Sequence, residues 1–296
     1  MNPTVRGRVA ALALAAGLAP VLAHAHGVAG GRFFPATLTV DDPAVADELS
    51  LPTVAHMDGE TDISGEYSKR LTSTLGVSFG ETWSRQTEPG PPAASGFQNL
   101  ETTIKWQAVT SAEHEAIVAF GLSAEWNGTG AAGVGAERHS TFTPTVYFGK
   151  GAGDLPQSMG WARPFALTGQ VGYAIPSRRQ DPGEPDPNPR VVEWGLTLQY
   201  SLPYLQSQVR DLGLPQPFAG MTPLVEASFE SPTTGPDRTT VGTVNPGVIW
   251  AGRHFQVGAE AMIPVNRKSG RHVGAVVQFH MFLDDLFPHS IGKPIW

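Results

Sequence analysis

An all-β fold, an antiparallel transmembrane β-barrel of about twelve strands, is predicted by three features of the chain. Its N-terminus reads as an export leader, a long series of segments alternates in hydrophobicity, and Pro/Gly-rich polar stretches recur at every second joint.

The leader comes first. MNPTVRGR carries Arg6 and Arg8 and no acid, VAALALAAGLAPVLA is apolar, and Ala23-His24-Ala25 sets small residues where a signal peptidase cuts. The expected cleavage follows Ala25. The apolar run is too short and wrongly flanked for a spanning helix, and no later stretch reaches about 18 uninterrupted apolar residues. The chain carries a formal charge of −7, and losing two arginines with the leader makes it more negative. With no cysteine, disulfides, an acylated lipoprotein terminus, thiolate metal sites and cysteine nucleophiles are excluded. Charged residues make up only 16% of the chain, against about a quarter in soluble domains. Together with Gly (34) and Pro (26), that suits a barrel wall more than a soluble sandwich.

The strands follow in order. In 272–282, Val273, Ala275, Val277, Phe279 and Met281 fall on one face, and Gly274, Val276, Gln278 and His280 on the other. The same period of two runs through 74–83, 99–108, 115–126, 165–173, 191–200, 219–229 and 255–263, and less regularly through 62–69, 140–149 and 240–251. An even barrel with both ends on one side needs one strand more, and 47–57 followed by the turn 58–60 supplies it. The apolar face often ends in Trp or Tyr (Trp83, Trp106, Trp126, Tyr173, Tyr200, Trp250), as interfacial girdles require. The other face is Gly, Ser, Thr, Gln and Glu, small and polar enough to line water. The connections 86–96, 127–139, 176–190 and 231–240 are long and are expected outside the cell. Those at 70–73, 110–115 and 251–254 are short and are expected in the periplasm, with 151–160 and 203–216 as long exceptions; the second is a place for a short helix. The expected division is a signal peptide at 1–25, an N-terminal periplasmic segment at 26–45, the barrel at 46–283 and a periplasmic tail at 284–296.

Strand parity nominates the lumen residues. Glu66, Glu101, Lys105, Glu125, Glu193, Glu226, Glu260, Gln278 and His280 are expected to face a shared interior, where carboxylates favour cations or polar solutes. The alternative is that the acids pair with Lys69, Lys105 or loop arginines and fill a narrow barrel. Arg178, Arg179 and Arg190 lie on a loop, either solvated or against lipopolysaccharide phosphates. Histidines lack any close metal-ligand spacing, so no metal or cofactor is expected; His26, first in the processed chain, could hold copper only with help from a distant histidine. For an enzyme, His139 and Ser140 are strand neighbours that point apart, GxSxG is missing, and only His280 could meet an inward serine such as Ser123 or Ser228. An acidic exported chain is a poor nucleic-acid binder.

The leader, the strand series with acidic inward positions, and the ending FHMFLDDLFPHSIGKPIW resemble the Gram-negative outer-membrane barrels grouped with the phenol-degradation meta-pathway transporter family. The resemblance spans roughly 45 to 296 as a pattern rather than a sharp motif. It implies an outer-membrane barrel surrounded by lipid and lipopolysaccharide and inserted by the barrel assembly machinery. Phe282 fits the aromatic that ends the last strand of such barrels, displaced from Trp296 by a tail holding Pro288 and Pro294. The expected function is passive transport or uptake of a small solute, hydrophobic or cationic. Two other readings stand beside it: a plugged structural barrel that conducts nothing, and a lipid-modifying enzyme.

Overall fold

A computed structural model describes residues 27–87 and 93–296; the leader and His26 lie outside them. Twelve strands build the wall. They are β1 (Glu48–Met57), β2 (Glu60–Arg70), β3 (Leu75–Gln86), β4 (Glu101–Ser111), β5 (Ala116–Glu125), β6 (Thr141–Gly151), β7 (Phe165–Pro176), β8 (Val191–Tyr200), β9 (Met221–Pro232), β10 (Val241–Ala251), β11 (Phe255–Pro264) and β12 (Gly274–Phe282). Each pairs antiparallel with its neighbours in sequence, and β12 pairs with β1 to close the sheet. Closure leaves no unpaired edge inside lipid, the condition a membrane sets on any β-structure. The seam is irregular: its register shifts between Gln278 and His280, opposite Pro52, which has no N–H to give the ladder. A short strand, Ala94–Phe97, extends β3 beyond the wall; the alternation did not reveal it.

The two faces divide as the period of two requires. Val277 is 48% exposed and its neighbour Gln278 only 6%; Leu196 is 39% exposed and Thr197 is fully buried. Outward aromatics pair across strands near both ends of the wall. Trp126 meets Phe142 (6.1 Å) and Trp194 stacks on Phe229 (4.4 Å) toward one end. Phe165–Tyr200 (4.8 Å) and Trp250–Phe255 (5.5 Å) lie toward the other. No helix among the described residues is long and apolar enough to cross a membrane.

One end of the barrel carries the connections 87–100, 126–140, 177–190, 233–240 and 265–273; it is called the loop end here. The opposite, terminal end receives residues 27–47 before β1 and 283–296 after β12. The long connection there after β8 does hold helical turns, at Leu202–Tyr204 and Leu205–Val209. The tail bonds to the β2–β3 turn, where Ile295 N donates to Arg70 O (3.2 Å) and Trp296 N to Leu71 O (2.9 Å).

Residues 27–47, which include most of the segment 26–45 expected in the periplasm, run against the inside of the wall. Glycines and prolines keep this stretch from regular structure apart from a two-residue hairpin, Val28–Ala29 with Arg32–Phe33. Its backbone polar groups must find partners inside the barrel, and inward side chains provide them. Val45 N donates to Gln107 Oε1 (3.0 Å), and Gln256 Nε2 donates to Ala36 O (2.5 Å). Inward glycines make room for its side chains: a Cβ at Gly195 would lie 2.7 Å from Val40 Cγ2, and one at Gly258 2.5 Å from Leu38 Cδ1. Arg32 closes the base. It is fully buried, stacks 3.7 Å over the Tyr204 ring, pairs with Glu115 (3.1 Å) and donates to Pro164 O (2.9 Å). Phe282 does end the last strand, but it faces inward and packs edge-on against Phe33 of this segment (6.1 Å). The inner face at that height is occupied by protein, so an aromatic is as well placed inside as out.

Candidate functional site: an acid-lined lumen

Above the N-terminal segment, toward the loop end, the lumen holds two adjoining cavities. One, of about 320 Å³, is lined by Asp41, Asp42, Glu48, Glu66, Glu81, Glu101 and Glu125, together with Gln278 and His280. The other, of about 260 Å³, shares Asp41, Glu66, Glu101 and Glu125 and adds Tyr147, Gln170 and Glu193. No lysine or arginine lines either cavity among the described residues. Lys105 is taken up at the floor, where it donates to Asp41 (2.7 Å) and to Asp42 O (3.0 Å) and lies 4.5 Å from the centre of the Tyr147 ring.

The wall's register sets carboxylates directly opposite each other. Glu101 pairs with Glu125 across β4 and β5, and Glu193 with Glu230 across β8 and β9. Like charges so placed destabilise a sheet unless water or a counter-ion separates them. Three of the acids accept hydrogen bonds from neighbours: Glu66 from Ser68 (3.0 Å), Glu101 from Thr103 (3.3 Å) and Glu125 from Asn99 (3.1 Å). These bonds hold the carboxylates in place without neutralising them.

Strand parity therefore brings Glu66, Glu101, Glu125, Glu193, Gln278 and His280 to the cavities, with Lys105 at their floor. Glu226 and Glu260 are placed differently. Both face inward, but at 0% and 4% exposure they are covered rather than bathed. Glu226 accepts from the backbone N–H of Leu38 (2.8 Å), Thr39 (2.8 Å) and Val40 (2.7 Å) and from Thr39 Oγ1 (2.6 Å). It is the anchor of the N-terminal segment. His280 meets neither Ser123 nor Ser228. Its Nδ1 lies 2.7 Å from Ser50 Oγ and its Nε2 3.2 Å from Glu48, an array that bridges the β1–β12 seam.

Asp41, Asp42, Glu48, Glu81 and Glu230 escaped sequence reasoning. The first two lie in a segment without periodicity. Glu48 and Glu230 sit at strand ends, where parity is hardest to extend.

No family model and no curated protein matches the sequence. Solved structures do match the fold. An outer-membrane channel from Pseudomonas putida F1 aligns with a TM-score of 0.52 at 12% identity, covering 84% of this chain and 99% of that one. This is the fold of a twelve-stranded outer-membrane barrel. The NanC porin aligns with a TM-score of 0.52 at 8% identity over 79% of this chain and 98% of that one. The outer-membrane phospholipase A from Escherichia coli aligns at 0.41, with 11% identity over 84% and 96% of the two chains.

Proposed function

We propose that the protein is a passive outer-membrane channel that admits small polar solutes bearing positive charge. The observation that carries this reading is two pairs of directly opposed carboxylates, Glu101 with Glu125 and Glu193 with Glu230, on the inner face of the wall. A cation passing between them relieves a repulsion built into the sheet. Fixed carboxylates in a narrow, partly desolvated space also raise the local cation concentration. Hydrophobic solutes, the other class left open by the sequence, find few apolar walls in cavities lined by acids, threonines and serines. The Ser50–His280–Glu48 array is spent on the seam and is given no catalytic role.

A second reading has its own support. Residues 27–47 cross the terminal half of the lumen and are anchored at Glu226 and Arg32, as a non-conducting barrel would require. Liposome swelling separates the two. Proteoliposomes are expected to take up a small ammonium solute faster than a carboxylate of equal size. Equal rates would remove the acids from the path; no uptake of either solute would favour the plugged barrel.

A further inference from the structure

Two long connections meet at the loop end, apart from the lumen cavities. The one between β5 and β6 brings Glu137 and His139; the one between β7 and β8 brings Asp181. His139 Nδ1 stands 2.9 Å from Asp181 Oδ2 and 3.4 Å from Glu137 Oε2, and the three donor atoms lie within 4.8 Å of one another. Two donors each about 2.0–2.1 Å from a shared ion are about 2.9 Å apart at a right angle and about 3.4 Å apart at the tetrahedral angle. The two spacings at His139 match these values.

A second observation points the same way. Asp181 is 6% exposed, and its Oδ1 has no hydrogen-bond partner. The Arg178 guanidinium stands 3.8 Å from that oxygen, beyond hydrogen-bonding distance. A buried carboxylate oxygen left in this state is costly. A cavity of about 430 Å³ is lined by Asp181 together with Glu137, Glu184 and Asp186. Arg138, on the same cavity, already faces Glu184 at 3.7 Å.

We propose that Glu137, His139 and Asp181 bind one divalent transition-metal cation of the zinc class, which ties connections 126–140 and 177–190 together. An imidazole ligand selects such ions over magnesium and calcium. The ion takes the place of the hydrogen between His139 Nδ1 and Asp181 Oδ2, and the neutral imidazole then carries its one proton on Nε2. Water from the cavity completes the coordination. Strand parity does not reach this site, because its ligands come from two loops and only Glu137 and His139 are near each other in sequence.

The test is calorimetric titration of zinc chloride into the full-length protein in detergent, with His139→Gln and Asp181→Asn beside it. One ion per chain is expected, with affinity lowered about tenfold or more in either variant and excess magnesium without effect. Zinc should also slow proteolysis within 177–190 in the unaltered protein only. Heat-dependent gel mobility checks folding; if either variant fails that check, Glu137→Gln, which alters an exposed residue, takes its place. No zinc binding, or binding of equal strength in the variants through other groups such as His26, would overturn the proposal.

Discussion

At the scale of single residues, parity and burial give different answers, and the difference is functional. Glu226 and Glu101 both point inward, yet one is buried under protein and the other lines a cavity. Glu226→Ala removes an acceptor that takes four hydrogen bonds from residues 38–40. It is expected to weaken docking of the N-terminal segment by about 2–4 kcal/mol, read as faster proteolysis within 27–47 and higher conductance from an intact wall. Unchanged protease resistance would mean the segment is held elsewhere. The two faces give a second prediction. Val277→Arg puts a charge into lipid and should cost about 2–4 kcal/mol near the midplane. Ser123→Arg, beside the cavity acids, should cost much less in the same denaturant titration, and equal costs would contradict the assignment of faces. Thr197 would not serve as the inward control, because it is fully buried and an arginine there has no room.

At the scale of elements, the strands were the legible part. A side chain every other residue, repeated over about ten residues, is a strong local signal, and it marks every strand of the wall except β1. Strand β1 and the turn expected at 58–60 follow from the need for an even count with both ends on one side. What local pattern could not supply was partnership across the chain. Residues 27–47 have no period, and their partners (Gln107, Glu226, Gln256) lie far along the sequence on separate strands. The same limit hid the meeting of His139 with Asp181. The orientation of the barrel is testable directly, since the chain has no cysteine of its own. Single cysteines in 178–188 are expected to react with an impermeant maleimide on intact cells, and those in 111–114 to stay unlabelled. The reverse pattern would turn the barrel over.

At the scale of the molecule, a wall that any outer-membrane barrel could share becomes specific through what stands inside it. The terminal half of the lumen is occupied by residues 27–47, anchored by Arg32 at the base and Glu226 above it. The half toward the loops is lined by carboxylates with no free lysine or arginine among the described residues. Cation preference should therefore arise in the loop-side half, and passage should be limited in the terminal half. The most direct measurement is the reversal potential across planar bilayers under a salt gradient. It compares the unaltered protein with Glu101→Gln/Glu193→Gln, each alone and combined with Glu226→Ala. The expected result is cation preference in the unaltered protein. The double substitution should shift it toward anions, most at low salt, because charges are screened over about 10 Å at 0.1 M. Glu226→Ala should raise conductance while keeping the sign of the preference. A reversal potential that ignores the loss of both glutamates, or a barrel that stays silent after Glu226→Ala, would contradict the acid-lined channel.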